Sequence, residues 1–104
     1  MIHAIWTDFF RMSAIPDTSL CPGDPFREKT FTALEQQQAS GRPVPRDYFC
    51  TRFAAKEAVF KCLAADPEHD RLNEIEVLDD EKGAPHVTLH GNLKKHAIQK
   101  DIGK

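Results

Sequence analysis

The sequence is short of several things, and each shortage removes a class of protein. No apolar run approaches the roughly 18 residues that a membrane-spanning helix requires. Charge of one sign is not in excess: the formal net charge is −2, so nothing pulls the chain toward nucleic acid or an anionic membrane, and any basic patch must be local. Cysteine is limited to Cys21, Cys50 and Cys62, an odd number without metal-type spacing. Free thiols in a reducing cytosol are expected rather than a disulfide framework. The first residues, MIHAIWTD, have no basic stretch and no cleavage site, so a signal peptide is not expected and a cytoplasmic location is the default. There is no internal repeat and no low-complexity segment. What remains is an ordinary globular composition, 40% hydrophobic and 29% charged in 104 residues. That length fits one domain, residues 1–104, with a modest core, near the size where oligomerisation often supplements it.

Shortage is also local. Phe49–Ala65, FCTRFAAKEAVFKCLAA, has neither glycine nor proline, and Thr51 and Val59 are its only β-branched residues. It therefore reads as a helix of four to five turns. At about 100° per residue, Phe49, Phe53, Phe60, Leu63 and Ala64 share one stripe. Ala55, Ala58, Val59 and Cys62 make the opposite side apolar too, which belongs inside a domain or at a subunit contact. Lys56, Glu57 and Lys61 do not fit that environment, and Lys56 projects within the phenylalanine stripe. Buried charge costs several kcal/mol unless it is paired or holds an ion or ligand. Two readings follow: a Glu57–Lys61 pair on a partly wet edge, or a metal or phosphate site.

Around this helix the chain reads as follows. Met1–Phe10 suits a strand with Ile2, Ala4, Trp6 and Asp8 on one face, so Asp8 is an acid at the end of an apolar row or a solvated residue past the strand. Residues 13–25 read as a loop. Asp24-Pro25 is a helix start, and Phe26–Phe31 is compatible with a separate turn of helix. Thr32 to Glu35 is a capping box opening a helix from Ala33 to Ser40, with Gly41 as its stop. Arg42–Arg46 reads as a stiff connector, with Asp47 as cap of the central helix. Glu74–Leu78 and Pro85–His90 alternate as a β-hairpin with Ile75, Val77, Val87 and Leu89 inward. His86 and His90 lie roughly 13 Å apart along a strand, too far for a zinc pair, and read as surface residues. Asn92 caps a last helix, Leu93–Ile102, with Gly103 at its end.

An acid at a strand end and another on a buried helix repel unless a cation lies between them. Mg²⁺ accepts one or two carboxylates and fills its other positions with water and phosphate oxygens, and Lys61 would then meet the phosphate charge. Spacing does not establish that Asp8 and Glu57 meet.

Trp6-Thr7-Asp8, then Arg52-Phe-Ala-Ala-Lys-Glu-Ala-Val-Phe-Lys61, then Glu74-Ile-Glu-Val-Leu-Asp-Asp and Gly83-Ala-Pro-His-Val-Thr-Leu-His-Gly91 resemble the short 4′-phosphopantetheinyl transferases, in order and over essentially the whole chain. Within them the pattern is similar to the holo-acyl-carrier-protein synthases. The resemblance implies an α+β fold, a small antiparallel sheet packed on a long central helix, assembled as a homotrimer with sites between subunits. It implies Mg²⁺-dependent transfer of phosphopantetheine from coenzyme A to a serine of acyl carrier protein, a step in fatty acid biosynthesis. Asp8 and Glu57 match the family's metal-binding acids, with Glu57 also a catalytic base. Lys61 matches the lysine near the coenzyme A phosphates. For Lys56 two roles stay open, phosphate contact or a structural ion pair. Arg11, Arg27 and Lys29 are candidates for meeting an acidic carrier.

The chain departs from the family at Trp6, where glycine is usual, at Arg11, where an acid is usual, and at the C-terminus. There the family's Ser-x-Ser-His strand and closing strand are expected to be missing. These departures carry an alternative: an impaired relative that binds coenzyme A or serves as an oligomeric scaffold. An unrelated small metal-binding module would have to produce RFAAKEAVFK by chance.

Overall fold

The computed structural model of the protein describes residues 15–102. The expected first strand, with Trp6, Asp8 and Arg11, and the Gly103 stop lie outside the described residues.

After a 3₁₀ turn at Asp17–Leu20, three helices follow: α1 (Pro25–Thr30), α2 (Ala33–Ser40) and α3 (Pro45–Cys62). A second 3₁₀ turn (Leu72–Glu74) leads into β1 (Ile75–Asp79), β2 (Pro85–Leu89) and α4 (Gly91–Ile102). The strands pair antiparallel with Ile75 opposite Leu89 and Val77 opposite Val87. This is the α+β arrangement expected, a two-stranded sheet on a long central helix. None of the described helices is long and apolar enough to cross a membrane.

Local chemistry explains the first helix starts. Asp24 accepts from Phe26 N with Pro25 as first helical residue, so Phe26–Thr30 is indeed helical. The Thr32–Glu35 box closes in both directions, and Gly41 ends α2 as expected. The central helix begins earlier than expected, because Pro45 keeps Val44 out of the helical region and is itself the first helical residue. Asp47 is therefore not the cap but lies in the first turn, where its charge favours the helix dipole.

The same helix ends three residues early. Ala64 takes φ 51°, its N–H reaches Lys61 O, and the Ala65 N–H reaches Phe60 O. That is a glycine-type helix stop made with alanine.

The last helix likewise starts on a distant group. Glu74 accepts from Arg71 N with one oxygen and from Asn92 N with the other, each at 2.9 Å. Asn92 is inside the helix, and its side chain donates to His69 O instead of capping. Gly91, at φ 58°, passes so close to Glu74 that a Cβ would lie 2.2 Å from its carboxylate oxygen.

Two apolar clusters flank α3. Tyr48 and Phe49 join Leu20, Phe31 and Ala39, with Phe26 and Phe53 against them. One turn or more further on, Ala55, Val59 and Phe60 join Ile75, Val77 and Leu93. Phe31 and Phe49 pack with tilted rings, their centroids 4.8 Å apart. Val87, expected inward, is 52% exposed, because the central helix and α2 pack on β1 rather than β2.

Candidate functional site

Every residue of α3 from Arg52 to Phe60 is buried or half-buried, so the helix is covered on nearly all sides. Water reaches it again at Lys61 and Cys62. Glu57 is half-buried, and Lys61 stands one turn further on, exposed, on the same side of the helix. A carboxylate at the edge of the apolar interior and an ammonium beyond it give a graded pair of opposite charges at the helix end.

Lys56 points elsewhere. Its side chain has no solvent exposure, and Nζ lies 2.8 Å from Glu35 Oε1, which is equally buried. The ammonium also donates to Leu72 O at 3.1 Å and to Ile75 O. All three donors are thereby used. Glu35 is equally saturated, since Oε1 accepts from Thr32 N and Oε2 from Val77 N, each at 2.8 Å. Of the two roles open for Lys56, the structure shows the ion pair. Burial pulls the Lys56 ammonium below its ordinary value of 10.5, with Glu35 acting in the opposite direction. Glu35 is the partner that sequence reading missed. It was legible only as the third residue of a capping box.

Arg52, quoted in the motif without a role, is also internal. It lies 2.5 Å from Asp79 Oδ2 and 4.2 Å over the Tyr48 ring, and its buried Nε has no hydrogen-bond partner. Arg42 takes the same Asp79 oxygen at 2.9 Å. These groups line an open cavity of about 350 Å³ that also includes Asp47. Two cations face two carboxylates there, so its net charge is close to zero.

A cavity of about 300 Å³ lies nearer the end of α3, lined by Phe60, Lys29, Thr30, Asp70, Arg71 and Leu72 among others. It sets two cations against one acid. Lys29 thus lines a cavity that reaches α3 at Phe60. Arg27 does not stand free for a partner: its guanidinium donates to Gln36 Oε1 and Leu20 O and lies 4.9 Å from the Phe49 ring.

Among the described residues, Asp66, Glu68 and His69 bring potential metal ligands close together, but they are exposed, and Asp66 is bonded to the His69 ring and the Glu68 backbone N–H. His86 and His90 are partners of Asp80 and Glu76, at 2.8 and 3.2 Å, and lie on the outside as expected.

The family model of the 4′-phosphopantetheinyl transferase superfamily matches residues 8–103, a span that holds Asp8, Glu57 and Lys61. The chain belongs to the 4′-phosphopantetheinyl transferase superfamily. Among curated members, the holo-[acyl-carrier-protein] synthase of Magnetococcus marinus is 46% identical over 72 residues, 66% of this chain and 52% of that protein. The fatty acid synthase subunit alpha of Schizosaccharomyces pombe is 42% identical over 78 residues, 69% of this chain but 4% of that subunit. The chain thus spans about half of the first relative's length and a small part of the second's. Among solved structures, an ACPS–CoA complex from Chronobacterium ammoniagenes superposes with a TM-score of 0.66 at 28% identity, covering 94% of this chain and 73% of that one. The phosphopantetheinyl transferase fold is therefore present in the described residues.

Proposed function

We propose that this transferase-family chain moves 4′-phosphopantetheine from coenzyme A to a serine hydroxyl of an acyl carrier protein. The observation that carries the reading is the end of α3, where half-buried Glu57 and exposed Lys61 stand one turn apart on one side of the helix. The likeness to holo-acyl-carrier-protein synthases and to an ACPS–CoA complex supports the choice of substrates.

In this reading the serine Oγ forms a bond to the phosphorus that carries pantetheine, and the bond to adenosine 3′,5′-bisphosphate breaks. The serine proton passes to the Glu57 carboxylate, directly or through one water. Lys61 offsets the negative charge of the diphosphate and of the leaving group, which is the main demand of in-line phosphoryl transfer. Asp8 and Glu57 are the acids assigned to Mg²⁺. Mg²⁺ takes one or two carboxylates with water and phosphate oxygens at its other positions, and when bound it would supply charge neutralisation for the phosphates. Lys56 is not part of this machinery. Assembly as a homotrimer belongs to the same proposal, supported by apolar side chains such as Val44 and Val87 that are 52% exposed.

The test of the residue roles is transfer by variants. Glu57→Gln is expected to lower kcat about 10²- to 10⁴-fold, as loss of a base, while the protein stays folded. Wild-type transfer by Glu57→Gln would remove Glu57 from the mechanism. Coenzyme A binding by wild type without any transfer would favour the impaired, scaffold-like alternative.

A further inference from the structure

We infer that Glu35 and Lys56 are a positioning pair that fixes the rotation of α3, and with it the side on which Glu57 and Lys61 stand. The inference rests on the reading of Glu57 and Lys61 as site residues.

The sequence of α3 explains why such a device is needed. Its large apolar side chains, Phe49, Phe53, Val59 and Phe60 among them, pack into two separate clusters. Apolar contact carries no direction of its own and sets the helix rotation only through shape. Directional bonds specify it strongly, and Lys56 makes three of them, to α2, to the 3₁₀ turn and to β1. A one-residue rotation would turn the Glu57 carboxylate toward the carbonyls of Leu72 and Ile75, two acceptors facing an acceptor.

The anchor on the other side is equally built. The edge of β1 away from β2 is met by side chains in place of a strand. Ile75 O accepts from Lys56, Val77 N donates to Glu35, and Asp79 exchanges two bonds with Gln38 at 3.1 and 2.9 Å. Glu35 and Gln38 are three residues apart on α2, so one helix face serves alternate residues of the strand. Helix α2 thereby holds β1, and Lys56 locks α3 to both. A buried ion pair contributes little net stability compared with apolar residues of the same volume. Its retention here fits orientation better than strength.

The test compares two variants by transfer kinetics, thermal melting and amide chemical shifts. Glu35→Gln combined with Lys56→Met removes both charges and leaves no buried ion unpaired. It is expected to fold, with kcat lowered about 10- to 100-fold, KM for coenzyme A essentially unchanged, and the Lys61 amide resonance displaced. Gln38→Ala removes the rung at Asp79 and the acceptor of the Tyr48 hydroxyl while leaving the Glu35–Lys56 pair in place; it should melt at a lower temperature with kcat and the Lys61 resonance unchanged. A folded double variant with wild-type kcat and an unmoved Lys61 resonance would overturn the inference. If the double variant does not fold, amide exchange in the wild type decides: Val77 must exchange far more slowly than Lys82, and equal rates contradict the clamp. If the wild type transfers nothing, the proposed function fails, while the Lys61 resonance still judges the positioning.

Discussion

At the scale of single residues, the chain treats its charges in two ways. Glu35, Lys56 and Arg52 are withdrawn from water, whereas Lys61 is in solvent and Glu57 at its margin. A group that must accept a proton or meet a phosphate has to keep access, and only the second set has it. The surface shows the same logic in a simpler form at Asp80. Its carboxylate accepts from His86 and from the backbone of Ala84 and Lys82, and these bonds, His86 first, hold it below the ordinary value of 3.8. A depressed carboxylate contributes stability above its unfolded value and loses it as the pH falls through the folded one. His86→Ala should therefore raise the Asp80 titration, followed by carboxyl carbon resonances, toward the ordinary range. An unchanged midpoint would show that the backbone bonds alone hold it.

At the scale of elements, what was legible in the sequence was what is local. Asp24-Pro25 and the Thr32–Glu35 box involve partners two or three residues apart, and both helix starts stand where the residues placed them. The hairpin followed from alternation and a turn whose Gly83 has φ 85°. The limits of α3 were harder to see. Its start depends on Pro45 entering the helix, and its end on Ala64 adopting a conformation for which glycine is the usual signal. The role of Lys56 was out of reach because its acceptors Leu72 and Ile75 lie 16 and 19 residues away, across a loop. The start of α4 depends on Glu74 across the hairpin in the same manner. Ala64 also yields a prediction for the element it terminates. A left-handed alanine costs roughly 1–2 kcal/mol, of which glycine's greater unfolded freedom takes back a part. Ala64→Gly is expected to raise unfolding free energy by about 1 kcal/mol in urea titration. A loss of stability would mean that the Ala64 methyl makes packing contacts worth more than the backbone strain.

At the scale of the whole molecule, the described part is a two-stranded sheet and a covered central helix, with apolar side chains left on its outer surfaces. The proposed trimer gives those side chains partners. Sedimentation equilibrium at assay concentration should return the mass of three chains, and a monomer there would contradict the assembly. The candidate site itself was legible as a motif, because RFAAKEAVFK carries both Glu57 and Lys61, while the sorting of its two lysines required the fold. Transfer chemistry remains the central claim, and one measurement tests it most directly. Purified chain, coenzyme A, Mg²⁺ and an apo-acyl carrier protein are mixed, and the intact mass of the carrier is followed alongside adenosine 3′,5′-bisphosphate. The account predicts that each carrier gains one phosphopantetheine as one bisphosphate is released, and that chelating the Mg²⁺ stops both. A folded chain that binds coenzyme A yet leaves the carrier mass unchanged would contradict it.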